Sequence, residues 1–379
     1  MERILLVTDI FPPHIGGPAT FIDQLGHALA RQGHSVTVIC SSDQPTEPSD
    51  AQRPFRVRRI YSSHGFIYNE LKARLVMAQE MRRHKTILVN GLEYLASQVA
   101  GWLGRQYILK IVGDTVWENA RNMGVTELSI DEFQSASVTT ASLQKVARRR
   151  DQYLRQARLV ITPSKYLQKI VVGWGVDINQ VRVVLNGVRL DEYASFQPAP
   201  RSTEFLEVAF CGRLTNWKGV ETLLLALKEL SGVRVSIIGD GPAFPMLLGL
   251  AQQLQIMEKV RFLGRLQRQP LQKALSQANV LVLTSLYEGL SHTLLEASAM
   301  GLACIASDCG GNPEVIEPNV NGLLIPYGDV AQLKSALESL HSNEDLRYEL
   351  AKGAKANSKR FDFKTTVQQT AELLCGPDN

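Results

Sequence analysis

Short apolar runs, each followed by a stretch with helical spacing, recur along the whole chain. A first strand is expected over residues 4–8. Phe21, Ile22, Leu25, Ala28 and Leu29 then return every three or four positions until Gly33, and the next strand is expected over 36–40. This alternation is the pattern of parallel βαβ units, because parallel strands need a crossover connection and a helix usually supplies it. Further strands are expected at 56–60, 86–89, 107–112, 159–162 and 181–185. The alternation breaks over 194–203, a stretch rich in Pro and Ser that reads as a linker. It resumes with strands expected at 207–211, 233–239, 260–264, 280–284, 303–307 and 323–326. A chain of 379 residues also exceeds the size at which one core usually stops growing. The expected class is therefore α/β, with two doubly wound Rossmann-like domains at 1–193 and 204–358 facing across a cleft. A tail at 359–379 carries an amphipathic segment over 363–374.

Composition narrows the function classes. Hydrophobic residues make up 45% and charged residues 21%, ordinary values for a globular enzyme. A net charge of +4 is too small to imply nucleic-acid binding. The charge is uneven, however. Residues 141–158 hold Lys145, Arg148, Arg149, Arg150, Arg155 and Arg158 against Asp151 alone. That reads as a solvated basic helix face, with acidic lipid headgroups as the sharper alternative. Five cysteines, odd in number and without a C-x-x-C pair, indicate neither a disulfide frame nor a zinc site. The first apolar stretch is too short for the core of a signal peptide, and no window has the apolar length of a membrane span. A cytoplasmic protein is expected, at most peripheral on the inner face of a membrane.

Three loops carry chemistry. Glu288-Gly-Leu-Ser-His-Thr-Leu-Leu-Glu296, with Cys309-Gly-Gly-Asn-Pro-Glu314 after it, directly follows the apolar run at 279–285. Glu288 therefore leaves the carboxyl end of a strand, where open α/β sheets place ligands. Ser291 is a plausible N-cap for a helix running to Met300 and stopped by Gly301. The free N–H groups of Gly289, Leu290, Ser291 and His292 then suit a phosphate. Glu296, a turn further in, suits a hydroxyl-rich group such as ribose. The second loop, Phe210-Cys-Gly-Arg-Leu-Thr-Asn-Trp-Lys-Gly219, projects Arg213 and Lys218 at the cleft edge. One planar fork and one point charge can together neutralise a diphosphate. The third, Phe11-Pro-Pro-His-Ile-Gly-Gly-Pro18, offers Gly16 and Gly17 for close backbone approach. By contrast, Ile238-Gly-Asp-Gly-Pro242 is explained by a strand-to-helix turn, since Phe244 stands where a dinucleotide fingerprint needs its third glycine.

These elements, in this order, resemble the retaining GT-B glycosyltransferases of family 4. The two glutamates with seven residues between them match the signature of that family. Arg213 and Lys218 match its G-R-x(n)-K-G element, and Gly16 and Gly17 its Gly-Gly loop. Phe262-Leu-Gly-Arg265 lies where the family holds the nucleobase. The resemblance implies a terminal helix crossing back onto the first domain. It also implies transfer of a sugar from a nucleotide-diphosphate donor to a glycan, lipid-linked or small-molecule hydroxyl, with retained configuration. In that reading Arg213 and Lys218 hold the departing charge, Glu288 meets the sugar and Glu296 the ribose. The D-x-D metal motif of GT-A transferases is missing, so neither a cofactor nor a divalent metal is expected. A GT-B nucleotide-sugar epimerase and a non-catalytic nucleotide-sugar-binding subunit are the alternatives. One departure stands out. Most family members carry a histidine near the transferred sugar where this chain has Asp114. Thr115 and Glu118 have capping-box spacing, which places Asp114 outside the cap and leaves its carboxylate for the reacting centre.

Overall fold

A computed structural model of the chain describes residues 1–14, 16–61, 66–136, 140–197 and 204–376, without the side chains of 66–69. Residues 198–203 of the expected linker lie outside the described residues. The first sheet is built from β1 (Arg3–Thr8), β2 (Ser35–Ser42), β3 (Arg56–Tyr61), β4 (Thr86–Asn90), β5 (Tyr107–Lys110), β6 (Ala157–Thr162) and β7 (Val181–Val183). Its strands run in the order β3-β2-β1-β4-β5-β6-β7, and every pairing is parallel. The second sheet comprises β8 (Leu206–Cys211), β9 (Val233–Ile238), β10 (Val260–Gly264), β11 (Val280–Leu283), β12 (Ala303–Ser307) and β13 (Leu323–Ile325). These also pair in parallel, in the order β10-β9-β8-β11-β12-β13. Each strand expected from the sequence is present. Strand β5 stops at Lys110 rather than 112, because the chain turns towards the cleft there.

Strand order reverses between β1 and β4 in the first sheet, and between β8 and β11 in the second. The crevice at such a switch point is where ligands bind in open α/β sheets. The Gly16–Gly17 loop follows β1, the Arg213–Lys218 loop follows β8, and the Glu288 loop follows β11. Topology alone thus gathers the three chemically suggestive loops at two facing crevices.

Both sheets are covered on both faces, which explains why their central strands read as unbroken apolar runs rather than alternating ones. Leu5, Val7, Val89 and Leu109 pack on one side of the first sheet against Met77, Met81, Ala96 and Val99. Ile4, Leu6, Leu88 and Ile108 pack on the other, against Phe21, Ile22 and Leu25 of helix Gly17–Arg31. The helix Phe363–Cys375 completes this second layer with Phe363, Val367, Ala371 and Leu374. It is tied there by two main-chain bonds, from Phe363 N–H to Val188 O at 3.0 Å and from Val188 N–H to Phe361 O at 2.8 Å.

The domains also meet directly. Trp117 of the first packs edge-on to Trp217 and Tyr287 of the second, with ring centroids 5.5 and 5.6 Å apart. The Glu314 carboxylate accepts from the N–H groups of Lys165 and Tyr166 at 3.0 and 2.8 Å, so it sits on the first turn of helix Lys165–Gly173. The basic segment is shorter than expected. Its helix is Ala141–Gln156, Arg158 belongs to β6, and Arg150 turns inward over Trp174. Turning Arg150 inward brings it to Asp151 and towards Asp114, which partly offsets the cost of burying that carboxylate. Among the described residues no helix is long and apolar enough to cross a membrane.

Candidate active site

Main-chain contacts between two loops of the second domain create the centre of the site. Gly219 adopts φ 68°, and a side chain there would collide with the carbonyl of Thr284. Only glycine lets the loops close. Thr284 Oγ1 then donates to Gly219 O at 2.8 Å, and Leu286 N–H to Trp217 O at 2.7 Å. This zipper delivers Lys218 Nζ to Glu288 Oε1 at 2.7 Å, and Ser285 Oγ donates to the same oxygen at 2.7 Å. Among the described residues no hydrogen bond engages Oε2 of Glu288. The Cys309-Gly-Gly segment backs the loop, with Gly311 N–H donating to Glu288 O at 2.8 Å. Glu288 and Lys218, given separate partners in the sequence reading, are thus partners of each other.

Helix His292–Met300 starts immediately after. Ser291 is its N-cap, accepting from Leu294 N–H at 3.3 Å, and Gly301 closes it at φ 79°. His292 is held low, at about 4, chiefly by burial and further by the charge of Lys110, so its imidazole is neutral at neutral pH. A Cβ on Gly17 would lie 2.9 Å from the His292 ring. The first domain's glycine loop therefore touches the helix N-terminus that follows Glu288. Glu296 lies further along, its carboxyl raised by burial while Arg268 and Tyr193 pull it back. Arg213 is exposed beyond β8, with no ion pair among the described residues, and Arg265 is exposed just past β10. Lys218, Glu288, His292 and Gly17 are therefore gathered at one place, with Arg213 at its rim. Arg265 stands apart, beyond an edge strand.

Asp114 corrects an expectation. It is itself the N-cap of helix Thr115–Asn122, and its Oδ1 accepts from Val116 N–H at 2.9 Å and Trp117 N–H at 3.2 Å. Gln134 Nε2 donates to Oδ2 at 3.1 Å. The expected capping box at Thr115 does not form, because Asp114 offers the shorter, charged acceptor to the same free N–H groups. The residue is fully buried with both oxygens engaged.

Glu118, read only as half of that box, turns out to face the site instead. Its carboxylate folds back over Gly113, with Oε1 2.6 Å from where a Cβ of residue 113 would be. Burial pushes it up to about 7. Lys218 and Arg213 pull it down, and Asp114 and Glu288 push it up, which places Glu118 in the field of the whole cluster. Tyr287, whose buried hydroxyl has no hydrogen-bond partner among the described residues, lies beside it. Lys110 is a third residue the sequence reading passed over. The signal was a single charge at the end of an otherwise apolar strand, Tyr107-Ile-Leu-Lys110.

Comparison with known proteins identifies the family and the fold. The family described as Glycosyltransferase Family 4 matches residues 15–192, and the family described as Glycosyl transferases group 1 matches 192–357. A glycogen synthase of Mycobacterium tuberculosis is 27% identical, over 98% of this chain and 94% of that protein. Among solved structures, the sucrose-phosphate synthase of Thermosynechococcus elongatus superposes with a TM-score of 0.80 at 21% identity, covering 98% of both chains. HepE of Anabaena, solved with UDP and glucose, gives a TM-score of 0.80 at 20% identity over 99% of both. With two family matches joined at residue 192, and the two-domain GT-B fold shared end to end, the chain belongs to the group 1, family 4 glycosyltransferases.

Proposed function

We propose that this glycosyltransferase moves a sugar from a nucleoside-diphosphate donor to a hydroxyl acceptor with retained configuration and without a divalent metal, in glycan or glycolipid synthesis. The observation that carries the reading is the 2.7 Å contact of Lys218 with Glu288 at the carboxyl end of β11, beside the start of helix His292–Met300. A cation, a carboxylate and a free helix N-terminus at one crevice match the needs of a sugar diphosphate. Lys218 and Arg213 face the diphosphate, whose charge grows as its bond to the anomeric carbon lengthens. Preorganised charge of this kind acts most strongly where the transition state differs from the ground state. Oε2 of Glu288 meets a sugar hydroxyl, and Glu296, beside Tyr193, the ribose. The acceptor oxygen attacks the face the diphosphate leaves, and its proton passes to the leaving oxygen.

HepE was solved with UDP and with UDP-glucose, so UDP-sugars are the first donors to test, ahead of GDP- and ADP-sugars. Bound donor raises the melting temperature in proportion to RT ln(1 + [L]/Kd). The anomeric configuration of the product, read by NMR with chelator present, then decides. An inverted product, or a rate lost in chelator and restored by magnesium, refutes this reading. Epimerised donor without acceptor identifies an epimerase, and binding without turnover a carrier subunit.

The same reading places the enzyme on the cytoplasmic face of a membrane, acting on a lipid-linked acceptor. Leu71, Leu75 and Trp102, from helices Phe66–Arg83 and Glu93–Trp102, are 58%, 63% and 66% exposed. Arg74 lies over the Trp102 ring and Arg149, from the basic helix, over Tyr94. Apolar side chains beside basic ones match an anionic bilayer surface. Co-sedimentation with vesicles containing anionic lipid, released by salt and weakened by Trp102→Ala, is the expected result. No binding at low salt refutes it.

A further inference from the structure

Lys110 closes β5, and its ammonium is placed where few proteins would leave one. The residue is 2% exposed, and among the described residues its Nζ has no hydrogen-bond partner. The group it rests on is the ring of Phe21, 4.4 Å from Nζ to centroid. Burying an ammonium without an anion is among the costliest arrangements a fold can hold. The side chain is therefore explained by something that arrives.

Three elements meet around it. Phe21 belongs to the opening turns of helix Gly17–Arg31, whose N-cap, Gly16, supplies no side-chain acceptor to the free N–H groups. His292, at the start of helix His292–Met300, feels the charge of Lys110 and touches Gly17. The third element is the carboxyl end of β5 itself. Two helix N-termini and one buried ammonium converge from both domains, a setting whose unmet demand is for negative charge. A neutral sugar hydroxyl does not meet it.

We propose that Lys110 binds an anionic oxygen of the donor's distal phosphate and serves as the first domain's counter-charge to the leaving diphosphate. The inference rests on the proposed donor chemistry. It gives the first domain a direct grip on the group that departs, opposite Lys218 of the second. Burial alone holds the Lys110 amine down, to about 7. Among the described residues the titratable group coupled to it is His292, itself held neutral by burial. An arriving diphosphate restores the charged form, so the amine takes a proton from solvent as the ligand binds.

Isothermal titration of the full chain with UDP at pH 8, in two buffers of different ionisation heat, tests this without any variant. The expected count is about one proton taken up per UDP bound. Lys110→Met is expected to weaken UDP binding about tenfold or more and to abolish the uptake. Its affinity for UMP, which lacks the distal phosphate, stays as in wild type. The variant also melts higher, because a buried amine without a partner is replaced by an apolar side chain; cooperative melting shows that it is folded. No uptake by wild type, or wild-type UDP affinity in Lys110→Met, overturns the inference alone. Wild type that binds none of UDP, GDP and ADP overturns it together with the proposed function.

Discussion

Lys218 and Glu288 should be separable into a structural and a catalytic contribution by a double-mutant cycle. Their side chains are 19% and 11% exposed, so the pair is largely but not wholly withdrawn from water. Lys218→Met leaves the Glu288 carboxylate with the Ser285 hydroxyl as its remaining donor, and Glu288→Gln leaves a half-buried ammonium. A stranded polar or charged group costs about 1–3 kcal/mol where some solvent still reaches it. In a domain of this size that lowers Tm by about 2–4 °C per kcal/mol. The double variant Lys218→Met/Glu288→Gln strands neither charge, so most of the loss should return as a coupling energy of about 1–2 kcal/mol. Activity behaves differently. Removing one preorganised donor to a developing charge costs about 2–4 kcal/mol in the barrier, or roughly 30- to 1,000-fold in kcat. The double variant regains stability without regaining turnover. Thermal melts and initial rates at saturating donor measure both quantities. Additive stability losses would show that the 2.7 Å contact is energetically idle. Turnover recovering along with stability would make the pair a strut rather than part of the site.

Three further outcomes follow from neighbouring groups. Glu118 is held up at about 7 against an ordinary 4.5, so the folded chain keeps a proton that the unfolded chain releases. The stability from that difference is complete below the ordinary value and fades as pH rises through about 7. Glu118→Gln should flatten the fall in Tm between pH 5.5 and 8, and equal slopes in the two proteins would refute the assignment. Gly17→Ala puts a methyl 2.9 Å from the His292 ring, forcing the domains apart. Transfer should drop about tenfold or more and recover in Gly17→Ala/His292→Ala; no recovery would place the defect elsewhere. Asp114→Asn sets its new amide against the Gln134 amide that now donates to Oδ2. A melting loss of about 1–2 kcal/mol with kcat retained is expected, and a collapse in kcat at unchanged Tm would return Asp114 to the reacting centre.

Much of this architecture could be read from the chain because apolar periodicity is a local property. The runs that became β1, β8 and β11 are buried on both faces, and such strands announce themselves without knowledge of their neighbours. The Glu288 and Lys218 loops were legible for a related reason. Their glycines answer a backbone constraint, such as the collision of any side chain at 219 with Thr284. What escaped was direction. Asp114 and Thr115 are both competent caps, and the winner was decided by the turn of the chain after Lys110, together with Gln134 twenty positions on. The inward turn of Arg150 likewise depends on Trp174 and Asp114, which no helical periodicity brings together. Glu118 became visible only once the second domain's charges stood beside it, and Lys110 only once its burial against Phe21 was seen.

The helix Phe363–Cys375 gives the first domain an unusual history. The layer that covers Ile4, Leu6 and Phe21 is completed by Val367, Ala371 and Leu374, residues the ribosome adds more than three hundred positions later. The amino-terminal half therefore leaves the exit tunnel with one face of its sheet only partly covered, by helix Gly17–Arg31. The second domain, continuous in sequence, can close its core before that face is sealed. Such a chain exposes part of the first sheet's apolar surface until the second domain has been made, and chaperones would meet it there. Truncation just before residue 363 would strip cover from the first domain's sheet while leaving the second domain's core residues in place.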